Sequence, residues 1–216
     1  LGAPPSSAMS LPLAVEDLIV GALALIAEGN RISSLVRVKG HKEDTIIDWI
    51  REAGQHAEEI EAVCIIDTLR RAGAEVAVAS VEAMLKVTAS RGTKLVADAL
   101  IADCASAIYE CIAIPGGMPG AEHLRDSEVL TALLKQQHDA GRLYSAICAA
   151  PVVVLQYHGL LAGRAATCHP SFVSQLENPV HVEERVVVDD TVTGRCITSR
   201  GPGTAIEFAL ALIETL

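Results

Sequence analysis

The chain has 216 residues, with 17 basic and 27 acidic side chains for a formal charge of −10, and half of it is apolar although it holds only one Trp, three Tyr and two Phe. Ala, Val, Leu and Ile therefore make the core, and the length suits one sizeable domain that needs no staples. The acidic balance excludes a non-specific nucleic-acid binder, and the scarcity of aromatics removes the stacking platforms of single-strand binders.

The first eight residues are small and Pro/Ser-rich and hold no initiator Met, so Met9 is read as a start candidate. Residues 1–17 are expected to be a poorly ordered extension. Leu18 to Ile26 is the longest apolar run, well short of the roughly 18–20 residues of a membrane helix. Glu16 and Asp17 precede it where a secretory signal wants basic residues. A cytoplasmic protein is expected. Leu18 to Ala27 reads as a buried strand ending at Glu28-Gly29-Asn30. From Arg31 to His56 the character changes, with five basic residues and the only Trp, and Thr45 to Ala53 reads as helical.

From Ala57 the pattern becomes regular. Glu58 to Arg71 is an amphipathic helix stopped by Gly73. Glu75 to Val81, Leu95 to Ile101 and Tyr109 to Ile114 read as strands. Ser127 to Ala140 is a helix closed by Gly141, Leu143 to Ile147 a strand, and Ala149 to Tyr157 a helix. Ala165 to Cys168 is short and extended. Val186–Asp189 and Cys196–Ser199 read as a hairpin pair around Thr193-Gly194. Thr204 to Leu216 closes the chain as a helix, with Thr204 and Glu207 spaced as a capping box. Strands alternating with helices predict an α/β sandwich with a mostly parallel sheet. Ligands in such folds bind at the carboxyl ends of the strands.

Two loops at strand ends carry the chemical signals. In Ala146-Ile147-Cys148-Ala149-Ala150-Pro151 a strand ends, a cysteine follows, and a helix begins, with Pro151 suited to its first turn. Small neighbours suit the tight turn of a nucleophile elbow, and a helix start favours a thiolate. The other reading of Cys148 is a buried core cysteine. In Ile114-Pro115-Gly116-Gly117 the glycines free backbone N–H groups for an anion or oxyanion, or simply make a flexible turn. No dinucleotide or phosphate-binding glycine pattern is present. His169, in Thr167-Cys168-His169-Pro170, is a candidate base or a plain loop histidine. Glu61, one turn into the helix from Glu58, is either a buried general acid/base or part of a solvated helix start. The other cysteines (64, 104, 111, 168 and 196) show no metal or disulfide spacing.

The stretches AEEIEAV (57–63), IPGG (114–117), AICAAP (146–151) and SRGPGT (199–204), supported by TCHP (167–170), together resemble the ThiJ/PfpI superfamily in its DJ-one branch of protein deglycases and glyoxalase III enzymes. The resemblance covers Ala57 to Leu216. It implies a flavodoxin-like three-layer sandwich and a homodimer. It implies that Cys148 is the nucleophile, that Glu61 contacts its sulfur and moves protons, and that His169 stands nearby. Gly117 and Ala149 then supply oxyanion N–H groups with Gly116 shaping the loop, and Arg91 and Arg200 line or neighbour the pocket. The implied activity is glutathione-independent conversion of methylglyoxal-type 2-oxoaldehydes, or removal of their early adducts, with no metal or organic cofactor. A redox-sensing, chaperone-like protein whose cysteine is oxidised without turnover is the alternative. A cysteine peptidase is disfavoured by Ala149, where that branch wants a histidine.

Two departures stand out. Residues 30–56 match nothing in the family and separate Leu23–Gly29 from Ala57, so the domain spanning 18–216 is read as interrupted by an insertion or by a gene-model error. An insertion there would sit at the pocket mouth as a lid. The extra C-terminal helix of some relatives is expected to be missing.

Overall fold

Leu143–Ile147 forms a strand whose five residues are all buried, which a strand achieves only when both faces of its sheet are covered. The computed structural model describes residues 58–89, 92–191 and 194–216. In chain order these form α1 (Glu58–Arg71), β1 (Ala79–Ser80), β2 (Lys86–Thr88), β3 (Lys94–Val96), β4 (Ala99–Leu100), β5 (Cys111–Ile114), α2 (Gly120–Asp126), α3 (Glu128–Asp139), β6 (Leu143–Ile147), β7 (Val186–Asp189), β8 (Cys196–Ser199) and α4 (Ala205–Thr215). A π-wound helix, Pro151–Gln156, follows β6.

The main sheet runs in the order β5-β6-β8-β7. β5, β6 and β8 are parallel, with Ile114 opposite Ala146 and Ile147 opposite Ser199. β7 closes the edge antiparallel to β8, with Val186 opposite Ser199. Leu143, Ile147 and Ile197 point to one face and pack with Ile65 and Leu69 of α1 and Phe208 and Leu212 of α4. Tyr144 and Ala146 point to the other and pack with Ala121 of α2 and Leu130 and Leu134 of α3. Successive residues alternate faces because the strand period is two. Each fully buried Leu, Ile or Phe contributes about 1.5–3 kcal/mol. The chain thus forms the expected α/β sandwich of helix, mostly parallel sheet and helix.

Helix ends follow local chemistry. Gly73, at φ +91, ends α1, with Gly73 N–H on Arg70 O and Ala74 N–H on Leu69 O, a paired closure that needs a left-handed residue. The Ser127 side chain accepts from Leu130 N–H to start α3.

Several expectations are corrected. The Glu75–Val81 strand has ladder partners only at Ala79 and Ser80, opposite Ala99 and Leu100. Leu95–Ile101 is two strands, because Lys94–Val96 pairs antiparallel with Lys86–Thr88 while Ala99–Leu100 pairs parallel with β1. Asp98 between them turns its carboxylate to the N–H of Val78 and to Arg70. Tyr109–Ile114 shortens to Cys111–Ile114. α2 was not expected. The helix after Cys148 is short and starts with Pro151. Ala165–Cys168 forms no strand, since the N–H groups of Ala165 and Thr167 bond the side chains of Asp189 and Thr198. The capping box at Thr204 does not form, because that side chain makes no cap hydrogen bond to α4 and is bonded to Gly201 and Ser199, while Glu207 pairs with Arg185. The strand Leu18–Ala27, the helix Thr45–Ala53, residues 1–17 and 30–56, Arg91 and Thr193 lie outside the described residues.

A buried ion pair ties the β7 end to the chain entering Ala165. Arg164 Nη1 lies 3.0 Å from Asp189 Oδ1, with side chains 0% and 2% exposed. Arg164 also donates to Gly194 O at 3.1 Å and lies over the Tyr144 ring. Burial raises the Asp189 carboxyl, but the N–H of Ala165, the hydroxyl and N–H of Thr191 and the charge of Arg164 outweigh it and hold it below its ordinary value. A depressed carboxylate stabilises the fold above its unfolded pKa, and that stabilisation is lost as pH falls through the folded value. Asp189→Ala is expected to cost about 3–5 kcal/mol by leaving a buried guanidinium without its carboxylate. Urea midpoints at pH 7 check this, and the variant's stability should fall less steeply than wild type below about pH 4.

Candidate functional site

β6 ends at Ile147 and the next residue, Cys148, takes φ +67, the only positive φ of a non-glycine residue among the described ones. A side chain in that region costs about 1–3 kcal/mol and persists only where its surroundings hold it. Two hydrogen bonds do so. Cys148 N–H donates to Ser199 O at 2.9 Å, and Cys148 O accepts from His169 N–H at 2.8 Å. The turn aims the sulfur away from the strand, toward the loop after β5.

That loop is closed against the elbow by Gly116. A Cβ there would meet Cys148 Cβ at 2.6 Å, Ile147 O at 2.7 Å and Ala149 N at 2.9 Å, so no side chain fits. Gly116 N–H donates to Glu61 Oε2 at 2.7 Å. Glu61 projects from the first turns of α1, is 0% exposed, and is hydrogen-bonded to the Cys148 thiol. The N–H groups of Gly117, at φ +86, and of Ala149 also point at the sulfur. Cys148, Glu61, Gly116, Gly117 and Ala149 are thus brought into one cluster.

Burial pushes the Cys148 thiol well above its usual range; the negative charge and hydrogen bond of Glu61 add to this, and the N–H groups of Gly117 and Ala149 pull the other way. Two acids in contact inside a protein do not both ionise, so a charge on Glu61 holds the proton on the sulfur. Burial also raises Cys111 and Cys196 to about 12 and Cys168 to about 11. Cys148 differs from them in its partners: a carboxyl to exchange a proton with and N–H groups that hold a charge. The expected help from a helix start is supplied by these N–H groups, since the helix after the elbow spans only Pro151–Gln156.

His169 edges the cluster. Its Nδ1 accepts from Ser171 N–H at 3.2 Å, which leaves the other ring nitrogen as the donor. Burial and then the charge of Arg200 push its pKa down, so the ring is neutral at pH 7. Arg200 itself is turned to Glu183, with Nη1 at 3.4 Å from Oε2. It acts on His169 through its field.

Gly201 was not singled out from the sequence. A Cβ on it would lie 3.3 Å from His169 Cδ2, 3.9 Å from Cys148 Sγ and 3.9 Å from Glu61 Oε1. Its place is set by Thr204, whose hydroxyl accepts from Gly201 N–H at 3.1 Å and lies 2.7 Å from Ser199 Oγ. Ser199 Oγ in turn donates to Arg185 O, and Arg185 donates to Gly203 O. The run of glycines in SRGPGT was the only available signal. Among the described residues no group of three or more His, Cys, Asp or Glu is placed to hold a metal ion, and no helix is long and apolar enough to cross a membrane.

Comparison with known proteins agrees on the family. Residues 52–215 match the model of the DJ-1/PfpI family. The chain is 49% identical over 158 residues to Protein DJ-1 homolog B of Arabidopsis thaliana, covering 73% of this chain but 35% of that protein, so it spans about a third of that relative's length. It is 39% identical over 164 residues to the glutathione-independent glyoxalase DJR-1.2 of Caenorhabditis elegans, covering 75% of this chain and 84% of that one. The structure of oxidized Toxoplasma gondii DJ-1 superposes with a TM-score of 0.69 at 56% identity, covering 73% of this chain and 84% of that one. The chain belongs to the DJ-1/PfpI family.

Gly116→Ala is expected to destabilise the fold by about 1–3 kcal/mol or more, through overpacking against the elbow. Thermal unfolding checks the size. Alkylation of Cys148, followed by mass spectrometry, should change in the same variant, because the added methyl displaces the sulfur's own Cβ.

Proposed function

We propose that this member of the DJ-1/PfpI family is a cofactor-independent glyoxalase, or a deglycase working by the same chemistry, that acts on 2-oxoaldehydes through Cys148. The observation that carries the reading is the contact of the Cys148 thiol with the buried Glu61 carboxyl while two N–H groups face the sulfur. The similarity to the glutathione-independent glyoxalase of C. elegans supports it.

The chemistry proceeds in three balanced steps. The Cys148 sulfur adds to the aldehyde carbon, the C=O π bond breaks, and the thiol proton passes by way of Glu61 to the new oxygen, giving a hemithioacetal. The N–H groups of Gly117 and Ala149 stabilise the oxyanion formed on the way. Glu61 then takes the proton from the former aldehyde carbon and returns one to the neighbouring carbonyl carbon through an enediol, which leaves a 2-hydroxy thioester. Water cleaves the thioester, releasing the 2-hydroxy acid and the thiol. The sum is 2-oxoaldehyde plus water giving 2-hydroxy acid, with oxidation of one carbon balanced by reduction of its neighbour. His169, neutral and at the edge, orients water or substrate. The reading carries with it a cytoplasmic homodimer.

A second reading, oxidation of Cys148 to a sulfinate in a stress-sensing protein, is favoured by the similarity to the oxidized Toxoplasma structure. Glu61 and the same N–H groups suit the charged oxygens of a sulfinate.

Lactate formation from methylglyoxal without glutathione tests the first reading. Cys148→Ala is expected to abolish it, and Glu61→Ala to lower it by about 10²–10⁴-fold. Undiminished turnover in Cys148→Ala sinks the mechanism. An inactive wild type whose Cys148 oxidises selectively under mild peroxide favours the sensor.

A further inference from the structure

We propose that Thr204 is a positioning residue: its hydroxyl fixes the Ser199 carbonyl and the Gly201 backbone, and through them sets how the Cys148 sulfur meets the Glu61 carboxyl. This deepens the thiol-addition reading above and rests on it for turnover alone.

Thr204 stands where a helix cap is expected, yet its side chain makes no cap hydrogen bond to α4. It is 5% exposed, and a hydroxyl so buried needs partners. Its oxygen accepts from Gly201 N–H at 3.1 Å and lies 2.7 Å from Ser199 Oγ. Ser199 Oγ donates its hydrogen to Arg185 O at 2.8 Å, so the Thr204 hydrogen makes the contact with Ser199. Gly201 O, 2.9 Å from the Thr204 hydroxyl, also accepts the Thr204 N–H at 2.9 Å. Donors and acceptors therefore run one way, from Gly201 N–H through Thr204 and Ser199 to Arg185 O. The far end is anchored, because the Arg185 guanidinium holds Glu207 of α4 at 2.7 and 2.9 Å and Gly203 O at 2.6 Å.

Both residues that Thr204 holds bear on the reacting pair. Ser199 O accepts from Cys148 N–H at 2.9 Å and is one of the two clamps that keep Cys148 at φ +67. A strained left-handed residue persists only while its surroundings hold it, so a shift of that carbonyl turns the elbow and with it the direction of Sγ. Gly201 lies beside the sulfur, Glu61 Oε1 and the His169 ring, and its backbone is part of the wall against which the pair packs. Thr204 acts on the pair through these two residues. A purely local role has a different signature. Were the hydroxyl only closing the turn Pro202–Thr204, its loss would lower stability and leave the thiol's titration alone. A positioning role moves that titration, because burial and the contact with Glu61 both raise the Cys148 thiol and both depend on the geometry of the elbow.

Two variants separate these roles. Thr204→Val removes the hydroxyl at nearly constant shape and leaves Gly201 N–H without its acceptor, whereas Thr204→Ser keeps the hydroxyl. Cys148 alkylation by iodoacetamide is followed by mass spectrometry across pH, in protein shown to be folded by circular dichroism. The alkylation rate of Thr204→Val is expected to level off at lower pH than wild type, nearer the ordinary thiol value, and Thr204→Ser to restore the wild-type profile. With methylglyoxal, Thr204→Val is expected to lower kcat by about 10–10²-fold while KM stays within about twofold. An unchanged alkylation profile in Thr204→Val, or the same shift in Thr204→Val and Thr204→Ser, overturns the proposal. A wild type without turnover overturns the glyoxalase reading and leaves the alkylation profiles to decide this one. If Thr204→Val does not fold, Ser199→Ala, which breaks the chain at its next link, is read in the same way.

Discussion

The left-handed backbone of Cys148 at φ +67 is the constraint on which the site depends. An L-residue does not stay there unaided, and the clamps come from far along the chain: Ser199 at the end of β8 and His169 beyond the helix that follows the elbow. Gly116, at the end of β5, then packs so closely that its lack of a side chain becomes a structural necessity. Three parallel strands therefore end at one point, and the elbow is the place where they converge. This is the general property of parallel α/β sheets, whose strand ends leave a crevice, realised by particular hydrogen bonds.

Electrostatics follow from that convergence. A thiol buried against a carboxyl is held protonated by desolvation and by the neighbouring charge, while the N–H groups of Gly117 and Ala149 offset part of the cost. Burial alone pushes a thiol up, as at Cys111 and Cys196, and the protonated form is the weaker nucleophile. A proton acceptor in contact, together with oriented N–H groups, gives the sulfur at Cys148 a way to carry charge when an electrophile arrives.

How much could be read in advance depended on how local each feature is. β6 was legible to the residue, because a short, mostly apolar run between Gly141 and a small-residue turn reads as a buried strand. The β1 to β4 region was not, because a strand's length is set by its partners, and the switch from antiparallel to parallel pairing around Asp98 leaves no mark in the run Leu95–Ile101. The capping box at Thr204 failed for the same kind of reason. Its spacing was right, but a stronger non-local demand, the hydroxyl chain to Ser199 and Gly201, took the side chain. Arg185 similarly took Glu207.

The sequence by itself determined the layer architecture, through periodicity and glycine stops. It also marked the candidate cysteine, since only Cys148 of the six lies between a strand end and a helix start with small neighbours. Those are properties of a dozen adjacent residues. Only the tertiary structure decided that Glu61 lies against that sulfur, that His169 turns Nδ1 to Ser171, that Arg200 faces Glu183, and that Gly201 lies beside the sulfur and the His169 ring. Each depends on how separate crossovers lay their ends side by side. Distances between side chains tens of residues apart are set by packing of the whole sheet, which no local spacing encodes.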